Sequence, residues 1–503
     1  MKLKLSIFAL LALLVTGCTH DIDITEPAAK EGKMVNISAT IPTETRVAYD
    51  DDTRKLAWQT NDTLLLAGYN GEDYIGSSKF SWTGGNNFSG QEVPGATTYK
   101  AYYPATVTLD GNGNVQSFDA TFWQQTQNGN NNTAHLRNKL LLFDETANPL
   151  NETFNLALKS SIIKFVLSDI PSNIGAITKL VWTVQHATGW ASVVLNVTGV
   201  GSGTTGLTAF LAFDPNAISV AADGVVKVTL CGDLSYVWSK TVTDGMGYGA
   251  GKRYTGAASG WNPNTPLIYV TEYNVNPAGD GFVTTLTPKQ GGNGFFSFDD
   301  AVANFSDITI DNKRYHLPSE AEWRSIVSHS SNHVNFAKKD TINVEESVSV
   351  LGQDVVYYSD YITGVDSTFA YALRYKGSDM VSAWRYERVG AQGGTNAHMI
   401  VTSRNVYGQT AITVEDIATA DFWSSNTEND VVRYFPASGV KVGGNYYAES
   451  YGFFWSSTEV PAGEGESTEG YFMRFESGNY NANRGSDNKT NLYSVRLFFT
   501  GGN

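Results

Sequence analysis

The stretch Val35-Asn36-Ile37-Ser38-Ala39-Thr40-Ile41 alternates apolar with polar side chains at every step and stops at Pro42. Period-two alternation puts the apolar groups on one face of an extended chain, so these residues predict a half-buried β-strand. Proline lacks the N–H that a ladder needs and marks the strand's end. The same texture recurs outward from this point. Residues 55–58, 63–66, 154–159, 162–167, 179–184, 192–197 and 225–230 read as strands, broken by turns such as Asn70-Gly71, Gly84-Gly85-Asn86-Asn87 and Asp110-Gly111-Asn112-Gly113. The chain is therefore expected to be mainly β. Two tandem β-sandwich domains, residues 47–152 and 153–260, are the natural arrangement of this part.

Beyond Gly260-Trp261-Asn262-Pro263-Asn264-Thr265-Pro266 the pattern changes. Pro318-Ser319-Glu320-Ala321-Glu322-Trp323 reads as a capping box, with Ser319 as N-cap, Glu322 reaching back to it, and Trp323, Ile326 and Val327 on one face of the helix that follows. A second short helix is expected over residues 299–305. Residues 355–361, 369–375, 453–456, 471–475 and 493–499 alternate like strands joined by long loops. Residues 261–503 are thus expected to form a separate α+β domain.

At the other end, Lys2 and Lys4 precede an apolar run over residues 5–15 that is too short to span a bilayer. Val15-Thr16-Gly17-Cys18 follows it with the pattern of a bacterial lipobox. Residues 1–17 then form a lipoprotein signal peptide, and Cys18, carrying acyl chains such as palmitate, becomes the first residue of a lipidated leader over residues 18–46. An ordinary secretory signal with an incidental cysteine is the alternative. No second run of about twenty apolar residues occurs, so the mature protein is expected to be soluble apart from its lipid, at the outer membrane or cell surface.

The 503 residues carry a formal net charge of -15, with only two cysteines, Cys18 and Cys231. With Cys18 lipidated, Cys231 has no partner and reads as a small buried side chain rather than a reactive thiol. The acidic balance argues against nucleic acid as a partner. Abundant Gly, Tyr, Phe, Thr and Asn with few charges suit neutral partners instead.

Few patterns in the sequence carry reactive chemistry. Gly201-Ser202-Gly203-Thr204-Thr205-Gly206 matches a dinucleotide fingerprint, but the residues after it read as a strand where a helix is required, so a hairpin loop is expected. Asp110 to Asn114 begins like a calcium loop, yet Val115 and Thr121 stand where glycine and the bidentate glutamate belong. His329 and His333 are four apart at the end of an expected helix, without the neighbouring glutamate of a metalloprotease. Glu464, Glu466 and Glu469 occupy a Gly-rich loop and read as solvated carboxylates, with a calcium ion or a sugar contact as the alternative. No nucleophile elbow is present, and neither a catalytic site, a metal site nor a cofactor is expected.

Taken in order, the lipobox, the early strand followed by Arg46, Trp58-Gln59-Thr60-Asn61-Asp62-Thr63-Leu64-Leu65-Leu66, Tyr99-Lys100-Ala101-Tyr102-Tyr103-Pro104 and Gly251-Lys252-Arg253-Tyr254 resemble the fimbrillin family of Bacteroidetes pilins, the subunits of type V pili. Residues 290–499 are similar to the Fibrobacter major paralogous domain, related in fold to C-type lectin-like domains. That likeness lies in Tyr315-His316-Leu317-Pro318-Ser319-Glu320-Ala321-Glu322-Trp323, in Val432-Arg433-Tyr434-Phe435-Pro436-Ala437-Ser438-Gly439, in Phe454-Trp455-Ser456-Ser457-Thr458 and in Tyr493-Ser494-Val495-Arg496. The first resemblance implies cleavage between Arg46 and Val47, loss of the strand bearing Val35, Ile37, Ala39 and Ile41, and its replacement by a strand from a neighbouring pilin. The second implies structural roles for Leu317, Pro318, Glu320, Glu322, Trp323, Trp455, Ser456, Ser457 and Arg496.

Joined, the two resemblances imply a tip-type fimbrial subunit that accepts a strand and presents a C-terminal adhesive head to a glycan or protein on a host or bacterial surface. A donor strand at the C-terminus is not expected, because a whole domain stands there. Tyr446, Tyr447, Asn479, Tyr480, Asn481 and Asn483 lie in the Tyr- and Asn-rich loops that suit such a ligand, although each alone reads as turn chemistry. The alternatives are an anchored surface-binding lipoprotein that never polymerises and an enzyme acting on envelope polymers.

Overall fold

The computed structural model describes residues 32–41, 57–115, 123–286, 292–390, 397–443, 445–447, 451–462, 467–476 and 481–500. Cys18, Arg46 and Val47 lie outside these residues. The fold is mainly β, with the capping-box helix and other short helices in the C-terminal part.

The first sheet has eight strands, in the order Thr153–Asn155, Met34–Thr40, Asn87–Gln91, Asp73–Gly84, Thr63–Asn70, Thr98–Tyr103, Leu142–Asn148 and Ala157–Leu158. The strands at the two ends of this order are consecutive in sequence, with only Leu156 between them. The sheet therefore closes on itself through a single run of chain, as a barrel does to remove free edges. Along that run Phe154, Leu156 and Leu158 turn inward to a core shared with Ile37, Ala39, Leu64, Leu66, Phe80 and Phe88. Residues 55–58 do not form the expected strand in their described part: Trp58 precedes the turn into Thr63–Asn70 and inserts its ring into this core.

A second core lies between a three-stranded sheet, ordered Leu207–Phe213, Ser161–Leu167 and Arg253–Ala258, and a six-stranded sheet containing Lys179–His186, Gly189–Thr198, Gly224–Cys231 and Ser235–Val242. Part of the three-stranded sheet is buried on both faces, although Val166 is exposed and much of Arg253–Ala258 is at least partly so. Ile163, Phe165 and Leu211 point to the second core, whereas Ile162, Phe210 and Ala212 point to the first. This is why the run Ser161–Leu167 is almost continuously apolar instead of alternating.

Strands from either side of residue 152 are exchanged between these units, since Thr153–Asn155 and Ala157–Leu158 belong to the first sheet and Gln125–Asn128 to the six-stranded one. Gln125 and Gln127 then tie the second unit's sheets together. Their side-chain amides bond the backbone of Ala212 and Phe210, with Ala212 N donating to Gln125 Oε1 at 2.8 Å and Phe210 N to Gln127 Oε1 at 2.9 Å. Buried amides satisfied on both faces hold two sheets in one register.

The loop over residues 201–206 is not a hairpin. Gly189–Thr198 and Leu207–Phe213 are both strands, as read, but they lie in different sheets, so the glycines carry a crossover. Cys231 is fully buried, and desolvation pushes its thiol up to about 11.

The C-terminal part packs a six-stranded antiparallel meander, Asp340–Val350 through Asp430–Pro436, against a second six-stranded sheet that includes Tyr451–Glu459, Glu469–Glu476 and Asn481–Asn488. The strands expected at 355–361 and 369–375 are Gln353–Val365 and Phe369–Lys376, joined by a short turn and not by the long loop expected. The expected strand at 493–499 is two short ones, Tyr493–Ser494 and Phe498–Phe499. Its core also takes in Val225 from the second unit.

Candidate functional site

The strand Met34–Thr40 fills a seam in the first sheet. On one side it pairs antiparallel with Asn87–Gln91, Ile37 opposite Phe88 and Met34 opposite Gln91. On the other it pairs parallel with Thr153–Asn155, Ala39 beside Phe154. Ile37 and Ala39 are 3% and 0% exposed, while Val35 and Ile41 pack half-buried at the two ends. Asn36 faces solvent. The alternation read from the sequence is thus the alternation of the seam, and every inward side chain is one the reading singled out.

Main-chain bonding of this strand is unusual at one point. Ala39 N donates to Asn86 O at 2.8 Å, the last rung on that side, because the partner chain turns away there. The Ala39 carbonyl instead accepts from the indole Nε1 of Trp58 at 2.9 Å. Trp58 is itself fixed by edge-on contacts with Phe88 and Tyr103, at centroid distances of 4.9 and 5.5 Å. Tyr103 OH donates to Asp62 Oδ1 at 2.9 Å, and the same oxygen accepts from Arg137 Nε at 2.9 Å. On the far side Leu156 N donates to Thr40 O at 2.9 Å, and Thr40 Oγ1 donates to Asn155 Oδ1 at 2.7 Å. No sequence signal distinguished Trp58 from an ordinary core aromatic. Only the place where the ladder ends gives its N–H a partner.

In the C-terminal part the expected motif residues are divided between two cores, Trp323 in one and Leu317 and Trp455 in the other. Ser319 and Glu322 form the capping box. Trp323 Nε1 donates to Trp455 O at 3.1 Å, Ser457 N donates to Pro318 O at 2.8 Å, and Glu320 N donates to Thr458 Oγ1 at 3.0 Å. Leu317, Trp323, Trp455, Ser456 and Arg496 are buried. Burial works to raise the Glu322 carboxyl, but His316, 2.9 Å away, and the Ser319 bonds outweigh it and hold it below the usual carboxylate range. Arg496, fully buried, spends its guanidinium on Asn274 Oδ1 and the carbonyls of Thr271, Glu272 and Tyr434, at 2.6 to 2.9 Å. Most of these side chains build the core of this part.

A second buried arginine was not foreseen. Arg374 pairs with Glu346 at 3.2 Å and donates to the carbonyls of Arg324, Ser325 and Ile326, closing the C-terminal end of the capping-box helix. Tyr357 and Tyr386 complete its shell.

The expected ligand residues are dispersed. The backbone of Tyr446 and Tyr447 lies in the short strand Asn445–Tyr447, and Asn479 and Tyr480 fall outside the described residues. Asn481 and Asn483 belong to a strand, not a loop, and Asn483 is buried with Arg474 Nε donating to its Oδ1 at 2.6 Å. Glu464 and Glu466 also fall outside; Glu469 opens a strand and accepts from Ser486 Oγ at 2.9 Å. His329 and His333 follow a helix that ends at Ile326, and His333 Nδ1 is 2.6 Å from Ser328 Oγ. Among the described residues no group of three or more His, Cys, Asp or Glu is placed to hold a metal ion. The segment over residues 110–114 is a turn, with Asn112 N and Asn114 N both donating to Asp110 Oδ1 at 2.9 Å.

Residues 262–498 match the family described as "Domain of unknown function (DUF8237)". No curated protein matches the sequence. Among solved structures, a candidate cell adhesion protein from Bacteroides ovatus is similar over 46% of this chain and 96% of its own, at 12% identity and a TM-score of 0.29. A candidate adhesin from the same organism covers 46% of this chain and 88% of its own, at 10% identity and a TM-score of 0.22. A fimbrial protein from Bacteroides ovatus covers 93% of this chain and 99% of its own, at 10% identity and a TM-score of 0.22.

Proposed function

We propose that this chain is a fimbrial-type surface subunit whose first strand is a removable plug, exchanged during assembly for a strand from a neighbouring subunit. The observation that carries this reading is the seat of Met34–Thr40. It is held by ladders on both sides and by two buried side chains, and it leads directly into a segment containing Arg46. Cleavage between Arg46 and Val47 would leave the strand with no covalent bond to the fold it completes. Its loss would open two rows of main-chain donors and acceptors over an apolar floor, the geometry that strand addition requires.

The lipid on Cys18 then serves to deliver the subunit to the outer membrane and leaves with the strand. Near residue 500 the strands Tyr493–Ser494 and Phe498–Phe499 are paired inside the C-terminal sheets, which supports an acceptor that does not donate them, as at a filament tip. In this reading the C-terminal lectin-like part is the adhesive head, and the loops containing Tyr446, Tyr447, Asn479 and Tyr480 meet a glycan or protein ligand. Strand exchange and ligand binding involve no catalytic step.

N-terminal sequencing of the protein recovered from the cell surface tests the assignment. A chain beginning at Val47 is the expected result. An intact acylated Cys18 on all surface material would point to the anchored lipoprotein that does not polymerise. Screening the full chain against glycans and host proteins, with and without calcium, tests the head separately.

A further inference from the structure

We infer that the seam reads the register of the strand it holds, through Trp58 and the enclosed site of Ala39, and so selects an extended segment with a large apolar residue two places before a small one. This rests on the strand-acceptor reading above.

A β-strand slipped by one residue turns its whole inward set outward, but a slip by two keeps the pattern and changes only which side chain meets which site. The hydrophobic floor alone therefore cannot fix an incoming strand. Two features at one end of the seam can. The Ala39 carbonyl is the acceptor for the buried Trp58 N–H, at the position where the ladder on that side has ended at Asn86. A strand placed two residues away still brings a carbonyl there, but it also brings another side chain into the site that Ala39 occupies. That site is closed, since Ala39 has no exposure and lies in the core with Trp58 and Phe88.

Neither wall of that end yields easily. Phe88 and Tyr103 clamp the indole edge-on, and Tyr103 is anchored in turn through the buried Asp62 to Arg137. A branched side chain at the Ala39 site overpacks this cluster or displaces Trp58, whose N–H then loses its partner in an apolar surround. The Ile37 site is the reverse, because a small residue there leaves a void opposite Phe88. Thr40 adds a polar check, its hydroxyl donating to Asn155 Oδ1 at the mouth of the seam. The partner strand is identified by this order of sizes and not by hydrophobicity as such.

The test uses the full chain with a site-specific protease sequence replacing residues 43–48, cut and then challenged with labelled synthetic peptides. One peptide is residues 33–41 as they stand. The other exchanges Ile37 and Ala39, keeping composition and length. The native-order peptide is expected to displace the cut strand, with the exchanged peptide at least about tenfold weaker, and Trp58→Phe is expected to weaken the native-order peptide. Equal binding of the two peptides to the unmutated protein would overturn register reading while leaving strand acceptance intact. If neither peptide enters a cut protein that stays folded by circular dichroism, strand acceptance itself fails, and this inference with it.

Discussion

Two residues carry the local energetics that matter most. Trp58 satisfies a buried carbonyl, and its removal leaves that group unpaired. Trp58→Phe in the uncut protein is expected to cost about 1–3 kcal/mol, read as a lowered denaturant midpoint with unchanged slope. Ile37 contributes through volume. Ile37→Ala should cost about 2–4 kcal/mol in the same measurement, whereas Asn36→Ala, on the solvent face, should stay within about 0.5 kcal/mol. Equal effects of the two would mean that the strand is not seated as described.

Acid should destabilise the protein through desolvated imidazoles, His333 and His135, and through carboxyls held low, Glu322 and Glu346 among them. His333 is buried against Tyr361, and desolvation lowers its folded pKa below the usual 6.5. The stability it contributes is complete above that value and is lost as pH falls through the folded pKa, because the unfolded chain takes up the proton first. The Glu322 carboxyl is held below 4.5 by His316 and Ser319, so its contribution is complete above 4.5 and is lost at lower pH still. Denaturation midpoints measured from pH 7.5 to pH 3 should fall in two windows. His333→Gln should make the upper fall smaller, with His135 supplying the rest, and Glu322→Gln the lower, where Glu346 also contributes.

At the scale of elements, what could be read from the sequence depended on whether the signal was local. The first strand and the capping-box helix were legible because alternation and a Ser-x-x-Glu pattern are written within a few residues, and both fold as read. The strand after the Gly201–Gly206 loop was legible for the same reason, but its sheet was not, since nothing local separates a hairpin from a crossover. Closure of the first sheet through residues 153–158 was equally hidden, because it depends on which distant strands the two halves of one run find. The polar Gln125-Thr126-Gln127-Asn128 strand resisted reading for a different reason. Its inward side chains are amides that bond a neighbouring backbone, so they break the apolar alternation that marks a strand. Replacing Gln125 and Gln127 together with Leu should leave backbone groups of Ala212 and Phe210 unpaired. The expected cost is about 2–4 kcal/mol, measured by chemical denaturation.

At the scale of the whole molecule, the second unit and the C-terminal part share one interface. Val225 enters the C-terminal core, Ser235 N donates to Asn405 Oδ1 at 2.9 Å, and Tyr236 OH donates to Asn429 Oδ1 at 2.9 Å. Gly408 lies so close to Asp233 that an added Cβ would sit 2.6 Å from its Cα. Such contacts make the two unfold together, and Gly408→Val should split a single calorimetric transition into two by detaching them.

The seam is the part of the molecule on which strand exchange depends. Hydrogen exchange of the amides that face the first strand, those of Phe88, Gly90 and Glu92 on one side and of Leu156 on the other, should be followed in three states: uncut, cut with the first strand removed, and refilled with the residue 33–41 peptide. Protection is expected to be high, then lost, then restored in the same amides. Continued protection after the strand has gone, with the rest of the protein folded, would contradict a replaceable first strand.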